Sequence, residues 1–344
     1  MRANRFITGI LGVSALLASC ASTQPLDPFG SSLKAWPEPP DTQRIALVGE
    51  FTRSADLGIR RSVWGRLIDF AAGSRDDAMV RPMAVAASDD NQTIFVADPG
   101  AHCVHRFDLV DARYACLSLR GGLSLVSPVG LAVTPDGALF VSDSTLGALY
   151  RLEPGAKWLE PFGDPSDLQQ PTGLAWDDGE RQLIVTDTGA QSIKALDADG
   201  KLIREFGQRG GMPGDVNYPT YIWLDSGSEL LVTDTLNFRV QRFGEDGTFI
   251  STFGQNGDTA GSLPRPKGIA TDTYGHIYVV DALFHAMQIF DSEGRLLLSV
   301  GTRGPEAGQF WLPNGIHISG DNTIYVADSY NKRVQVFRYV GPEV

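Results

Sequence analysis

The stretch Asp328-Ser329-Tyr330-Asn331-Lys332-Arg333-Val334 decides the fold, because its pattern returns at Asp234-Thr235-Leu236-Asn237-Phe238-Arg239-Val240. In both copies the Asp ends one run of apolar residues, and a second run follows it. At spacings of 45, 44, 47, 47 and 47 residues, the Asp occurs as Asp98, Asp143, Asp187, Asp234, Asp281 and Asp328. A proline keeps step with it, as Pro82, Pro128, Pro171, Pro219, Pro266 and Pro313. This period predicts an array of one supersecondary unit that buries its apolar face only against its neighbours.

Each unit contains three runs of strand-forming residues and a weaker fourth, separated by Gly, Asp-Gly and Pro turn signals. Four antiparallel strands at this period describe a propeller blade. The sequence therefore predicts an all-β, six-bladed β-propeller.

The Asp-x-x-Asn-x-Arg-Val pattern of the two quoted stretches resembles the signature of the NHL-repeat family. The other four units keep the Asp and lose the Asn or the Arg. The resemblance covers residues 44–339 and points to bacterial six-bladed NHL propeller lipoproteins.

The two ends of the repeat array predict how the ring closes. The chain has no fourth strand after Arg333–Tyr339, whereas Arg44–Phe51 reads as an isolated fourth strand ahead of the first unit. Pairing these two segments would complete the sixth blade and remove an exposed edge. We therefore assign residues 44–340 to the propeller and residues 341–344 to a tail.

The N-terminus predicts export. Arg2 and Arg5 precede an apolar run, which ends in Leu17-Ala18-Ser19-Cys20. This ending resembles a lipobox, so residues 1–19 are interpreted as a signal peptide, with Cys20 the lipidated residue. The alternative is an ordinary cleavable signal with an incidental Cys. Residues 20–43 read as a Pro-rich tether. The resemblance implies anchoring in the bacterial cell envelope, and Ala21 after the Cys implies the outer membrane.

One connecting segment, residues 52–81, is about three times the usual length between units. Helical spacing places most of its apolar residues on one side, with Phe70 flanking them, and the prediction is a helical insertion. The residues concerned are Val63, Trp64, Leu67, Ile68 and Phe70. Three interpretations stay open: packing against the ring, docking of a partner protein, and contact with a membrane surface near the lipid anchor.

Cys103 and Cys116 lie on consecutive predicted strands of the first unit. An oxidising compartment would allow a cross-strand disulfide, and two buried free thiols are the alternative. The net charge of −12 argues against nucleic acid as a partner.

In a blade, the loop ending the second strand and the loop leading into the first strand open on the same face. The six Asp residues lie on this face, and we expect them to bond their own loop backbone rather than a metal. Residues beside each leading Pro would line the mouth of the central channel, where three cations could bind an anionic ligand. The candidate residues are Arg81, Thr172, Thr220, Arg265, Lys267 and Asn314.

The predicted function is a noncatalytic, lipid-anchored scaffold that binds an envelope protein through this face and the helical insertion. No cofactor, metal site or catalytic residue is assigned. The related zinc-dependent peptidyl-hydroxyglycine lyases place His after the leading Pro, whereas this chain has Met83, Val129, Thr172, Thr220, Lys267 and Asn314. The alternative is a calcium-dependent hydrolase or lactonase at the channel mouth, resembling the gluconolactonase type.

Overall fold

The computed structural model describes residue 29, residues 32–59 and residues 77–341. These form six β-sheets arranged as the blades of a ring. Within the described residues there is no α-helix, and the helical elements are five short 3-10 turns. No helix among them is long and apolar enough to cross a membrane.

Five blades follow the chain in order, with the first strand innermost. Blade 1 contains β3 (Ala84–Ala87), β4 (Thr93–Asp98), β5 (Cys103–Asp108) and β6 (Arg113–Leu117). Blade 2 contains β7 (Pro128–Val133), β8 (Leu139–Asp143), β9 (Ala148–Leu152) and β10 (Glu160–Phe162). Blade 3 contains β11 (Pro171–Asp177), β12 (Gln182–Asp187), β13 (Ser192–Asp197) and β14 (Leu202–Phe206). Blade 4 contains β15 (Pro219–Leu224), β16 (Glu229–Asp234), β17 (Arg239–Gly244) and β18 (Phe249–Phe253). Blade 5 contains β19 (Pro266–Thr271), β20 (Ile277–Asp281), β21 (Ala286–Phe290) and β22 (Leu296–Val300).

Blade 6 combines the two ends of the chain. It contains β1 (Lys34–Trp36), β2 (Ile45–Phe51), β23 (Ile316–Ile318), β24 (Thr323–Asp328) and β25 (Arg333–Tyr339). β2 pairs antiparallel with β25, from Ile45 opposite Tyr339 to Phe51 opposite Val334. The outer edge of β2 is covered in turn by β1, which makes this the one five-stranded sheet of the described chain.

The 3-10 turns are Ser54–Leu57, Arg120–Gly122, Pro165–Asp167, Thr235–Asn237 and Ser329–Asn331. The first of them is the helical element in the described parts of the long connecting segment, residues 52–59 and 77–81. The predicted helical insertion is not supported by these residues. Its apolar positions Val63, Trp64, Leu67, Ile68 and Phe70 lie outside the described residues.

The tether was predicted to extend to residue 43, but the propeller already includes β1, which begins at Lys34. β1 belongs to the blade 6 sheet, because Trp36 is buried there with its ring 6.0 Å from that of Phe337. The Phe29 ring packs beside Phe51 at 6.4 Å. Burial of these aromatic side chains outweighs the turn-forming tendency of the neighbouring prolines.

The core consists of six apolar clusters, one between each pair of consecutive blades. Most residues of the inner three strands are buried on both sheet faces, which explains their continuous apolar runs. The outer strands β14, β18 and β22 alternate between exposed and half-buried residues over most of their length. No blade buries its apolar faces alone, and this is the physical reason for the repeat.

A substitution of Leu47 tests the contact between β2 and the rest of the ring. Its side chain is fully buried in the cluster between blades 5 and 6. Leu47→Ala should lower the free energy of unfolding by about 3 kcal/mol, because a buried cavity replaces the side chain. Chemical denaturation of the two proteins measures the difference. Leu33→Ala, at an exposed position beside β1, is the control and should leave stability unchanged. Equal losses in both variants would contradict a closing role for β2.

Candidate functional site

The six repeated Asp side chains are fully buried and join the loop leading into each blade to its second strand. Asp98 accepts hydrogen bonds from the backbone N–H groups of Val80 (2.6 Å) and Arg81 (2.9 Å). The corresponding donors to the other five Asp residues are Val126 and Ser127, Gln169 and Gln170, Asn217, Arg265, and Trp311. In blades 1, 2, 3 and 5 the Asp also accepts from its own loop, as predicted. These carboxylates are structural groups of each blade.

The Asn and Arg of the family signature complete the same network in blade 4. Asn237 Nδ2 and Arg239 Nε each donate to Asp234 Oδ2 at 2.8 Å. The Arg239 guanidinium also donates to the carbonyl oxygens of Gly211, Met212 and Asp215. The signature therefore fixes the long Gly-rich loop between blades 3 and 4.

Blade 6 repeats this arrangement. Asn331 and Arg333 donate to Asp328, and Arg333 also binds the Glu306 and Gln309 carbonyls. Arg333 additionally forms an ion pair with Glu50 of β2 at 2.8 Å. The signature of the last blade thus contacts the strand that completes the ring.

In blades 1 and 3 the buried carboxylate is partnered seven residues further along the chain. His105 Nε2 lies 3.4 Å from Asp98 Oδ2, and Lys194 Nζ lies 2.9 Å from Asp187 Oδ2. Burial alone would raise the pKa of Asp98, but hydrogen bonds from His105, Val80 and Ala101 outweigh it and lower the pKa. Blades 1 and 3 lack the signature Asn and Arg. In these blades His105 and Lys194 stabilise the buried carboxylate instead.

A disulfide joins Cys103 on β5 to Cys116 on β6, with the two Cα atoms 5.7 Å apart. Cys103 occupies the place that Arg239 and Arg333 take in blades 4 and 6. The disulfide therefore links the two outer strands of blade 1 where the signature cation is missing.

The innermost strands touch one another directly around much of the axis. Gly268 N donates to Asn314 O at 2.9 Å, and Gly315 N donates to Met83 O at 2.9 Å. A Cβ atom on Gly268 would lie 2.6 Å from Asn314 O. This close approach explains the Pro-x-Gly sequence of blades 2, 3, 5 and 6.

Blade 4 has Tyr221 where those blades have Gly, and its side chain crosses the central channel. The Tyr221 hydroxyl lies 2.7 Å from Met83 O of blade 1 and 2.6 Å from Asn314 Oδ1 of blade 6. Two residues further, Trp223 donates to Thr271 Oγ1, and its ring lies 5.7 Å from that of His317. The two aromatic side chains of β15 therefore connect blade 4 with blades 1, 5 and 6 across the channel.

The channel-mouth candidates separate into distinct groups. The Thr172 and Thr220 hydroxyls bond other Thr hydroxyls of their own blades. Arg81 and Arg265 have exposed side chains, and their backbone N–H groups bind Asp98 and Asp281. Lys267 is half-buried, and burial together with the nearby Arg265 lowers its pKa to about 8.

Asn314 is the most buried member of the set apart from Thr220, and its amide contacts Tyr221 and Met83. The structure therefore brings Lys267 and Asn314 together on adjacent inner strands, with Arg265 at the rim. Arg81 lies at the entry to blade 1, on the other side of blade 6 from Lys267. The predicted partner-binding residues of the helical insertion lie outside the described part of the chain, as does Cys20.

Each of the five histidines has a local contact. His102 Nδ1 lies 3.1 Å from Val126 O, and His285 Nδ1 accepts from Leu312 N at 3.0 Å, so both link neighbouring blades. His276 bonds Asp272. Burial lowers the pKa of His317 to about 4, which keeps its ring neutral beside Trp223. Within the described residues, no three His, Cys, Asp or Glu side chains are placed to hold a metal ion.

Exposed apolar side chains recur on the face that carries the Asp loops, which we call the loop face. Ten of the eighteen large exposed apolar side chains of the described residues lie there: Val80, Leu123, Val126, Leu146, Met212, Tyr218, Leu236, Leu283, Trp311 and Tyr330. Most occur two or three residues after the repeated Asp or one or two before the leading Pro. The Trp311 and Tyr330 rings pack together at 5.6 Å. Sequence analysis missed this recurrence, although it is visible in the repeats.

Charge differs strongly between the two faces. The connections on the opposite side, the turn face, contain seventeen carboxylates and five Lys or Arg residues in the described residues. The described connections of the loop face contain seven carboxylates and seven Lys or Arg residues. Among the described connections, the excess of negative charge therefore lies on the turn face, and those of the loop face are neutral.

Comparison with known proteins supports the repeat and the ring. The NHL repeat family model matches residues 310–337. The chain is similar to a virginiamycin B lyase from Staphylococcus aureus, at 15% identity over 86% of this chain and 100% of that chain, with a TM-score of 0.58. It is similar to an auxiliary nutrient binding protein from Bacteroides thetaiotaomicron, at 12% identity over 76% of this chain and 70% of that chain, with a TM-score of 0.60. At these identities the likeness shows the fold alone.

The signature ion pair of blade 6 generates a test of this network. Arg333→Met removes the partner of the buried Asp328 and should lower the free energy of unfolding by about 3 kcal/mol or more. Chemical denaturation measures the effect. Arg295→Met removes an exposed ion pair with Asp291 and should leave stability close to that of the unchanged protein. An Arg333 variant as stable as the Arg295 variant would show that the signature is dispensable for folding.

Proposed function

Since the chain is a six-bladed β-propeller that carries an NHL repeat, we propose that it is a noncatalytic binding protein that docks a partner protein on its loop face. The observation that carries this proposal is the recurrence of exposed apolar side chains on that face, ten in the described residues. Exposed apolar patches on a folded protein mark interaction sites, and the packed Trp311 and Tyr330 rings form one such patch. Aromatic residues and Met, which are enriched at interfaces, are present as Trp311, Tyr218, Tyr330 and Met212.

The charge distribution favours the same face. A neutral, apolar loop face can approach another protein without electrostatic repulsion, whereas the acidic turn face repels any negatively charged surface. The loops that form this face are also tied to the blades by the buried Asp residues. A preorganised surface loses little conformational entropy on binding.

Export to the cell envelope with a lipid on Cys20 belongs to the proposal. The Cys103–Cys116 disulfide supports it, because structural disulfides persist in oxidising compartments outside the cytoplasm. The lipid would then place the propeller at a membrane surface, where a partner of the same envelope is available. The sorting signal at Ala21 makes the outer membrane the proposed location.

The enzymatic alternative has less support at the channel mouth. A calcium-dependent hydrolase would need oxygen ligands there, but Asn314 Oδ1 is already in contact with the Tyr221 hydroxyl and the adjacent strand presents the cation Lys267. A histidine-to-alanine variant of the Staphylococcus aureus virginiamycin B lyase is described as catalytically inactive. In this chain each His has the structural contact described above.

Affinity purification of the full-length tagged protein from its native membranes tests the proposal. The test variant is Leu236→Asp with Tyr330→Asp, at loop-face positions that are 50% and 51% exposed. We expect a stoichiometric partner that the test variant no longer retains, since buried charges in an interface are unfavourable.

The matched control is Ile203→Asp with Ile250→Asp, at outer-strand positions that are 51% and 46% exposed. This variant should retain the partner and melt at the same temperature as the test variant. Equal retention by both variants, or absence of any stoichiometric protein, would overturn docking on the loop face.

A further inference from the structure

A cavity of about 710 Å³ opens on the loop face where blade 6 meets blade 1, and we call it the junction pocket. Blade 6 contributes Arg53, which follows β2, and Lys332, which follows the signature Asn. Blade 1 contributes Met79 and Val80 from its entry loop and Cys116 from β6. Ligand-binding cavities in proteins commonly have a volume of this size.

The repeat shows what is unusual about Lys332. The residue four positions after the repeated Asp has a positive φ in every blade. At three of the six junctions its side chain bonds the backbone of the entry loop of the next blade, as His102, Gln191 and His285 do. At the junction of blades 6 and 1 this residue is Lys332, whose side chain forms no hydrogen bond or ion pair with the described residues. A cation therefore lines a cavity where other junctions have a bond between blades.

Arg53 is the second cation of the junction pocket. Its side chain is exposed and forms no ion pair within the part of the chain that the structure describes. The carboxylates of the neighbouring segments have partners of their own: Asp56 with the Thr52 and Arg53 backbone N–H groups, Asp77 with the Ser54 hydroxyl, and Glu50 with Arg333. Two cations at one cavity without a counter-ion attract an anionic group.

Apolar groups form another part of the wall. Met79 is buried, and its flexible thioether side chain adapts to different apolar partners. Val80 is one of the ten exposed apolar residues of the loop face, so the pocket continues the proposed docking surface. The Cys103–Cys116 disulfide fixes Cys116 in the wall. A preformed wall loses little conformational entropy when a ligand binds.

From these observations we propose that the junction pocket binds an acidic side chain of the docked partner protein, together with an apolar residue beside it. Arg53 and Lys332 pair with the carboxylate, and Met79 and Val80 contact the apolar residue. Clusters of basic residues recognise acidic motifs in this way. The inference rests on the docking of a partner on the loop face and names the chemistry that this partner presents.

The charge of the pocket favours a partner over the chain's own neighbouring segment. The described chain stops at Ile59 and resumes at Asp77, beside the pocket. Residues 60–76 contain four Arg and two Asp, so this segment has an excess of positive charge. Like charges disfavour its binding between Arg53 and Lys332, whereas an acidic segment of another protein is complementary to them.

A charge reversal tests the pocket in the affinity purification described above. Lys332→Glu with Arg53→Glu should reduce retention of the partner by about tenfold or more, because like charges then face each other in the interface. The matched control is Arg209→Glu with Arg303→Glu, at exposed cations of the loop face outside the pocket. This control makes the same change of net charge and should retain the partner. Equal losses in the two variants, at equal melting temperatures, would overturn the pocket.

NMR of the full-length protein labelled at the Met methyl carbons tests occupation of the pocket directly. Met79 lines the pocket, whereas Met212 is exposed on the loop face outside it. The probe is the peptide Ac-Leu-Glu-Leu-NH2, and Ac-Leu-Gln-Leu-NH2 is its neutral control. We expect the acidic peptide to shift the Met79 resonance saturably and to leave Met212 unchanged. Its affinity should exceed that of the neutral peptide by about tenfold or more, since the carboxylate forms charge-assisted bonds. The Lys332→Glu, Arg53→Glu variant should lose this difference.

The two measurements distinguish failure of the pocket from failure of the docking surface. Acidic-peptide binding by a protein that retains no partner would reject docking and keep the acid-binding pocket. Retained docking without a peptide-induced shift of Met79, or equal shifts by the two peptides, would reject the pocket alone. A Met79 resonance that moves in a Trp64→Asp variant without peptide would identify residues 60–76 as the occupant and would also overturn the proposal.

Discussion

A buried carboxylate at the end of each second strand is the interaction on which the ring depends. Each of the six Asp side chains is removed from water and accepts backbone N–H groups of the loop that leads into its own blade. An unpaired buried charge would be strongly destabilising, so every unit must supply donors or a cation. The chain does this with the signature Asn and Arg in blades 4 and 6, with His105 in blade 1 and with Lys194 in blade 3.

On the loop face, the residues that stabilise the fold are therefore different from the residues available for binding. Because the Asp residues are committed to the backbone, the neighbouring loop positions are free to vary and to carry Leu236, Leu283 or Tyr330 outward. The rigid loops present a neutral apolar surface, while the turns of the opposite face carry the excess of negative charge. A single repeat thus produces two faces of different physical character.

Much of the fold was predictable because each repeated residue stabilises the backbone of its own unit. The Asp and Pro positions and the Asp-x-x-Asn-x-Arg pattern indicated six blades and their strands. The position of Tyr221 across the channel was not predictable, since one aromatic residue at a Gly position does not reveal which distant strands it reaches. The place of β1 in the sheet was missed because the prolines around Trp36 suggested a tether. The recurrence of apolar residues in the loops was visible in the repeats, but their exposure follows only from the closed propeller.

The composite sixth blade determines the order in which strands detach when the N-terminus is pulled. β1 pairs with β2 over three residues, and β2 pairs with β25 along its length. Tension applied through the N-terminus reaches the packed Phe29 side chain and β1 before it reaches β2. The longer β2–β25 contact is loaded only after β1 has detached. The outermost strand, β1, therefore separates from the sheet before the ring of blades can open.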